Sequence, residues 1–333
     1  MSEGAGRFSK DVETRKVQRL GSSSLFITLP KKWINKWGVK PGDKIIIEIS
    51  EDGGLRLVAE KVKNTYTKKS IKIDVDNYKQ SIVNAIPSLY ILGYDEMLFT
   101  TKKNLDPKEV ENVITLSKNL VGIEVAENNN NLIRLDCLLD TEKLGSETLL
   151  RRILNIISKK VDEIIEYLRG QQSTEVQQTL EDLRRVYLML LRRSIGNKYM
   201  AERDKVRNFI IAINSTIMMR VYRIISKLYD EIKHNQISLP QEQAKTLIDM
   251  FRETNDLFDE IIMSILFPSI KRISNGYTLI NQLKQKYERL DIKDNLIRNY
   301  FEDLIFNLEE ALNNSSCSIF LEDAPWIERN FNS

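Results

Sequence analysis

The spacing of apolar residues changes once along this chain of 333 residues, and the change divides the chain into two kinds of structure. Up to about residue 140, apolar residues come in short runs between turn-forming residues, which predicts short strands and a few short helices. From Ser146 onward they recur every three or four residues, which predicts long amphipathic helices. The sequence therefore predicts a multidomain α+β protein with an all-α C-terminal part.

The composition argues against several classes of protein. The only histidine is His234 and the only cysteines are Cys137 and Cys317, which argues against histidine-based zinc centres, disulfide scaffolds and Ser-His-Asp triads. No uninterrupted apolar run approaches the ~18 residues of a membrane helix, and the polar N-terminus is unlike a secretory signal. We therefore expect a cytoplasmic, non-enzymatic protein with no cofactor, no metal and no membrane insertion.

Basic residues are concentrated near the N-terminus. Residues 1–63 carry 13 Lys and Arg against 8 Asp and Glu, a net charge of +5, whereas the whole chain has a net charge of +3. A basic N-terminal segment on a slightly acidic body suggests an anion-binding module attached to a separate body.

The basic segment has the pattern of a small β domain. Four short strands are predicted in it, over 14–20, 24–29, 44–49 and 54–58. Pro30 ends the second strand, and a short helix is predicted from Lys31 to about Gly38. A domain of so few residues buries too little surface to be stable alone. We therefore expect a partner chain to share the sheet.

The stretch RKVQRLGSSSLFITLPKKWINKWGVKPGDKIIIEI resembles the SpoVT/AbrB family of swapped-hairpin DNA-binding domains. The shared features are a basic first strand, a Gly-Ser turn, an apolar strand that ends in proline, a short helix, and Gly-Val-x-x-Gly-Asp before a hairpin. For residues 1–63 the resemblance implies an intertwined homodimer that binds double-stranded DNA. It assigns the DNA contacts to Arg15, Lys16, Arg19, Lys31 and Lys32. A dimerisation module without DNA affinity is the alternative.

Residues 68–140 predict a small module in the order βαβαββ. Its strands are predicted over 70–75, 96–101, 121–125 and 132–138. Its first helix spans Tyr78–Leu92 and contains Pro87, and its second begins at the capping sequence Asp106-Pro107-Lys108-Glu109. The order suggests a small ferredoxin-like sheet. We interpret the module as a structural connector or dimerisation unit, with ligand binding as the alternative.

Residues 146–313 predict six amphipathic helices, followed by a tail at 314–333. The helices are separated at Gly170, at residues 235–240 and at Phe267-Pro268, and Val176 is assigned to the second helix. Two runs of three helices suggest a duplicated three-helix unit packed as one bundle. The tail mixes apolar and acidic residues, which fits either a docking peptide or a segment that packs on the bundle.

The two three-helix repeats and the segment LEDLRRVYLMLLRRSI at 180–195 resemble the PhoU family. A SpoVT/AbrB-like head, a small linker and a PhoU-like body form an arrangement similar to archaeal regulators, which implies a link to phosphate homeostasis. In the family, clustered acids hold metal ions. Here Glu181 and Asp182 are present, but Arg184 or Arg185 replaces a later acid, so no metal site is expected.

Two further charged clusters have ordinary interpretations. Asp256, Asp259 and Glu260 lie close together on the fourth helix of the body and fit a solvated face. Arg184, Arg185, Arg192 and Arg193 also fit a solvated helix face, with an anion-binding patch as the alternative.

These observations favour a DNA-binding transcription regulator that forms a homodimer through its N-terminal domain. Its helical body would sense a signal or bind a protein partner. The alternative is a scaffold that does not bind DNA, dimerises through the head and binds a transporter or signalling partner through the bundle. A metal-dependent enzyme is a weaker third hypothesis.

Overall fold

The structure of the chain is a computed structural model. It describes residues 13–21, 24–49, 54–60, 68–139, 145–171, 179–196, 202–234, 241–290 and 295–321. The chain forms two compact units, Met1–Thr67 and Lys68–Ser333. We call the first unit the head. The first contains short strands and a short helix. The second contains a mixed sheet and long helices.

The first unit has the order of elements that the sequence predicts. Its elements are β1 (Gln18–Leu20), β2 (Ser24–Phe26), α1 (Lys31–Trp37), β3 (Ile45–Ile49) and β4 (Leu55–Ala59). β1 pairs with β2 and β3 pairs with β4, and both pairs are antiparallel. The first two strands are shorter than predicted, with three residues each.

The end of α1 explains the Gly-Val-x-x-Gly-Asp motif. Gly38 adopts a left-handed conformation with φ 58°, and the N–H of Val39 donates to the carbonyl of Ile34 at 3.0 Å. Glycine adopts this conformation without the steric penalty of a Cβ atom. The carboxylate of Asp43 then accepts the N–H of Lys40 at 2.8 Å and closes the following turn.

The second unit begins with the small module that the sequence predicts. Its elements are β5 (Ser70–Asp74), a single turn α2 (Val75–Tyr78), α3 (Ile82–Ile91), β6 (Glu96–Thr100), α4 (Pro107–Lys118), β7 (Ile123–Asn129) and β8 (Leu132–Cys137). The sheet order is β5-β6-β8-β7, in which β5 and β6 are parallel and the other pairs are antiparallel. The ferredoxin-like prediction is wrong, because that fold needs βαββαβ, whereas here the last two strands form a hairpin.

The predicted cap of α4 is present, but one of its residues has another role. Asp106 accepts the N–H of Lys108 at 3.0 Å, and Pro107 is the first helical residue. Glu109 accepts the N–H of Ile82, the first residue of α3, at 2.6 Å. Glu109 therefore connects one helix to the N-terminus of its neighbour, which has no side-chain cap from its own Ser81.

All six predicted helices of the body are found. They are α5 (Ser146–Leu168), α6 (Leu180–Gly196), α7 (Glu202–His234), α8 (Gln241–Leu266), α9 (Ile270–Arg289) and α10 (Asn295–Ser316), and a 3₁₀ turn follows at Cys317–Leu321. Val176 lies outside the described residues. The grouping into two three-helix repeats stays a prediction.

The longest helix, α7, lies within the bundle. It packs against α5, α6 and α10. In the part of the chain that the structure describes, it is the one helix long and apolar enough to cross a membrane, but 56% of its most apolar 18-residue window is buried inside the protein. We therefore interpret α7 as a core helix of the bundle.

The module and the bundle share one hydrophobic cluster, and a buried arginine joins them. Arg192 of α6 is only 3% exposed. It donates to the carbonyls of Tyr90 and Tyr94 at 2.8 and 2.9 Å, and to the carboxylate of Asp95 at 2.7 Å. The prediction that Arg192 belongs to a solvated helix face is therefore wrong, because the module supplies acceptors for its guanidinium.

Two glycines allow the close contact beside this arginine. A Cβ atom on Gly93 would lie 2.9 Å from the Cα atom of Gly196, and the reverse distance is also 2.9 Å. Both neighbouring atoms belong to the backbone and cannot rotate away. The end of α6 can therefore approach α3 this closely only with glycine at both positions.

We expect Asp95→Ala to destabilise the second unit by about 3–5 kcal/mol, because it leaves the buried Arg192 charge without a counter-charge. Urea unfolding of the full chain measures this loss. The matched control is Asp249→Ala, which removes the exposed pair of Asp249 with Arg252 at 2.9 Å, and it should cost no more than about 1 kcal/mol. Equally small losses for both variants would contradict a structural role for Arg192.

Candidate nucleic-acid interface

The five predicted DNA contacts are all exposed. Arg19 lies in β1, opposite Leu25 of β2. Arg15 and Lys16 were predicted in the same strand, but they precede it, because pairing ends at Gln18 and Phe26. Arg15 also forms an exposed ion pair with Glu13. The segment before β1 therefore places two basic side chains in solvent next to a third on the strand.

Lys31 and Lys32 form the first turn of α1. The residue before them is Pro30, which provides no side-chain cap, and the first turn holds no acid. Cations are disfavoured at a helix N-terminus by about 0.3–1 kcal/mol each, because of the helix dipole. Local rules are most often broken at functional positions, so this placement supports a role in binding rather than in folding.

Sequence reasoning missed a further lysine of this surface. Lys36 is exposed on α1, four residues after Lys32, and its Nζ lies 5.3 Å from the ring centroid of Trp37. Residues four apart share one face of a helix, so this spacing was the available signal. Lys40 and Lys44 are exposed in the segment that follows. The basic surface of the head, defined as Lys31, Lys32 and Lys36, therefore extends along α1.

The strands of the same unit expose large apolar side chains. The exposed fractions are 64% for Leu20, 70% for Leu25, 60% for Ile47, 83% for Ile49 and 63% for Leu55. α1 has no buried residue. Two-stranded ribbons are marginal in water unless another surface covers their apolar face. The head therefore presents a basic surface and an apolar surface, and a single chain leaves both in water.

The acidic residues of the body serve structural contacts. Asp182 accepts both the N–H and the hydroxyl of Thr179, at 2.9 and 2.8 Å, and Thr179 accepts the N–H of Asp182 in return. These hydrogen bonds hold the pKa of Asp182 below its ordinary value. Glu260 pairs with Arg272 at 3.0 Å. Over the described ranges, no group of three or more His, Cys, Asp or Glu side chains could hold a metal ion.

Comparison with known families gives a match over residues 18–66. The matching family is described as "Antidote-toxin recognition MazE, bacterial antitoxin". The match supports the predicted swapped-hairpin domain, and domains of this MazE/AbrB-like class typically dimerise and bind DNA. Comparisons with curated proteins and with solved structures give no match. The family of the helical body therefore stays a prediction.

The capping role of Asp182 predicts a pH-dependent contribution to stability. Asp182→Asn should cost about 1 kcal/mol at neutral pH, because it weakens the reciprocal cap of α6. The pKa of Asp182 is lowered from 3.8 in the folded state, so this contribution is present above that pH and lost as the pH falls through the lowered pKa.

Urea unfolding at neutral pH and near pH 3 checks this prediction. The difference between Asp182→Asn and the unchanged chain should shrink at the lower pH. Glu181→Gln, at the exposed neighbouring acid, is the control and should have little effect at either pH. A difference that is independent of pH would show that the Asp182 charge does not stabilise the cap.

Proposed function

We propose that this chain is a cytoplasmic, non-enzymatic transcription regulator that binds double-stranded DNA as a homodimer through its head. The observation that carries the proposal is the exposed lysine pair Lys31 and Lys32 at the start of α1, inside the segment that matches the MazE family. Arg15, Lys16 and Arg19 add exposed positive charge. Phosphate contacts from such side chains supply most non-specific affinity for DNA.

The exposed strands support the dimer. Covering one large apolar side chain contributes about 1.5–3 kcal/mol. A second copy of the same head offers a matching set of exposed apolar side chains. The pairing of β1 with β2 and of β3 with β4 gives two separate ribbons in one chain, which a second chain would join into one sheet.

For the body, we propose the PhoU-like role that the sequence resemblance implies. The helices would sense a signal connected with phosphate homeostasis, or bind a protein partner, and change the DNA affinity of the paired heads. Such coupling needs an effector that binds two states of the protein with different affinity. DNA affinity that is unchanged by saturating inorganic phosphate would exclude phosphate itself as the effector.

The match to the MazE family supports a second candidate, an antitoxin. In that case the full chain would form a stable complex with a second protein, and DNA binding would accompany that complex. A tight stoichiometric complex of the full chain with a toxin would favour this candidate over a regulator that acts alone.

We expect Lys31→Gln/Lys32→Gln to weaken DNA binding and to reduce its salt dependence. If each lysine of a dimer neutralises one phosphate, the slope of log K against log salt should become shallower by about 3–4. Titration of duplex DNA with the full chain at several salt concentrations measures the slope.

The matched control for this titration is Lys102→Gln/Lys103→Gln, an adjacent exposed lysine pair in the second unit. It removes the same charge and should leave the slope almost unchanged. Equal effects of the two double variants would contradict a specific role for α1. If the full chain does not bind DNA at low salt, the scaffold that dimerises without DNA binding becomes the better explanation.

We expect Leu25→Asp and Ile49→Asp to convert the dimer into a monomer, because each places a charge in the apolar surface that the partner head would cover. Light scattering should give twice the chain mass of 38.8 kDa for the unchanged protein and one chain mass for the variants. Leu138→Asp, at an exposed apolar residue of the second unit, is the control and should remain dimeric. A monomeric unchanged chain would refute the dimer.

A further inference from the structure

Exposed apolar side chains lie around the start of α9 and just after the end of α10. The exposed fractions are 51% for Phe267, 51% for Ile270, 38% for Tyr277 and 62% for Phe320. We call these four residues the seam patch. Single exposed apolar residues are normal on a protein surface, but a group along one seam marks a surface that something covers.

Contacts across the seam between α9 and α10 show the relative direction of the two helices. The hydroxyl of Tyr277 donates to the side chain of Asn313 at 2.8 Å, and that of Tyr287 donates to Glu302 at 2.6 Å. The two helices are therefore antiparallel. Ile270 is the first residue of α9 and lies about two helical turns before Tyr277, toward the end where α10 finishes. Phe320 lies in the 3₁₀ turn that follows α10. Ile270 and this turn are therefore at the same end of the bundle.

The described residues end at Leu321, at the same end of the bundle as this patch. The 3₁₀ turn Cys317–Leu321 packs against α7, α8 and α10, and Ile319 and Leu321 are partly buried in the core. Phe320 between them is exposed. The chain continues for twelve residues, 322–333, which lie outside the described residues.

The sequence of this segment suits the patch. It contains Pro325-Trp326-Ile327 and Phe331, together with three acids and one arginine. Lys271, next to Ile270, is exposed and carries the opposite charge. Trp326 follows Leu321 by five residues, which can span up to ~17 Å, whereas Ile270 and Tyr277 are about 11 Å apart along the helix. The reach of the tether therefore exceeds the length of the patch along α9.

We propose that the C-terminal segment 322–333 docks on the seam patch of its own chain, with Trp326 and Ile327 covering Ile270 and Phe320. The attachment at Leu321 favours this occupant, because a short tether holds a segment near its site at an effective concentration of about 1 mM or more. A second copy of the chain and a separate protein are the other occupants that the experiment distinguishes.

A reporter thiol in the patch tests the proposal on the full chain. Ser274 is exposed on α9, between Ile270 and Tyr277, so Ser274→Cys places a thiol where the segment would cover it. Cys317→Ser removes the exposed native thiol, and Cys137 is buried. The rate of maleimide labelling under native conditions then reports how often the patch is uncovered.

We expect labelling to become about tenfold faster in Trp326→Ala and in a chain that ends at Leu321, which corresponds to a docking free energy of about 1.4 kcal/mol. Asn330→Ala is the control in the segment and should leave the rate unchanged. A second reporter, Lys227→Cys on the exposed face of α7, should be labelled at the same rate in every variant. Equal rates at this position would show that faster labelling at Ser274→Cys is not caused by general unfolding.

Two results would overturn the proposal. Equal Ser274→Cys labelling in the full chain, Trp326→Ala and the shortened chain would show that the segment does not cover the patch. Protection that persists in Trp326→Ala and disappears on dilution, or on removal of a co-purified protein, would show that a second copy or a separate partner covers it instead.

Discussion

The second unit depends on the guanidinium of Arg192, which is withdrawn from water between α6 and the segment that joins α3 to β6. Removing a charge from water costs several kcal/mol unless a counter-charge and hydrogen-bond acceptors replace the solvent. Here Asp95 supplies the charge, and the carbonyls of Tyr90 and Tyr94 supply the acceptors. These acceptors come from the end of α3 and the loop before β6, so the pairing fixes the orientation of the module on α6. A continuous core and the Gly93–Gly196 contact act in the same direction.

The head has the opposite physical character. Its strands are short, α1 buries no residue, and large apolar side chains such as Leu25 and Ile49 stay in water. A unit of this size gains too little from its own core to offset the conformational entropy of ordering its chain. The second unit can therefore be stable as a single chain, whereas the head needs another surface. This difference is the physical reason for proposing that the chain dimerises through the head.

The sequence predicted what local patterns determine, and it failed where a distant residue determines the outcome. The six body helices follow from the apolar period, and the Asp106-Pro107 start of α4 follows from capping chemistry, because both signals lie within a few residues. Glu109 was expected to complete its own cap, but its carboxylate instead accepts the N–H of Ile82 at the N-terminus of α3. Arg192 was expected in solvent, because an arginine-rich helix face usually is solvated and Asp95 is 97 residues away in the sequence.

Among the candidate site residues, the lysines of α1 could be predicted from the sequence because they lie in a motif. Lys36 was missed because it lies outside the basic positions that the family resemblance assigned.

The exposed apolar strands and the lysine pair of α1 have related energetic consequences. Both lower the stability of an isolated head, the first through uncovered apolar surface and the second through cations at the positive end of a helix. In the proposed function, association would compensate each of them, with a second head in one case and with a polyanion in the other. Because a ligand stabilises the state that binds it, DNA that contacts two heads at once would stabilise the dimer, and the dimer would in turn raise the affinity for DNA. A signal received by the helical body would then need to change only the pairing of the heads to change DNA binding, and no separate switch within the head would be required.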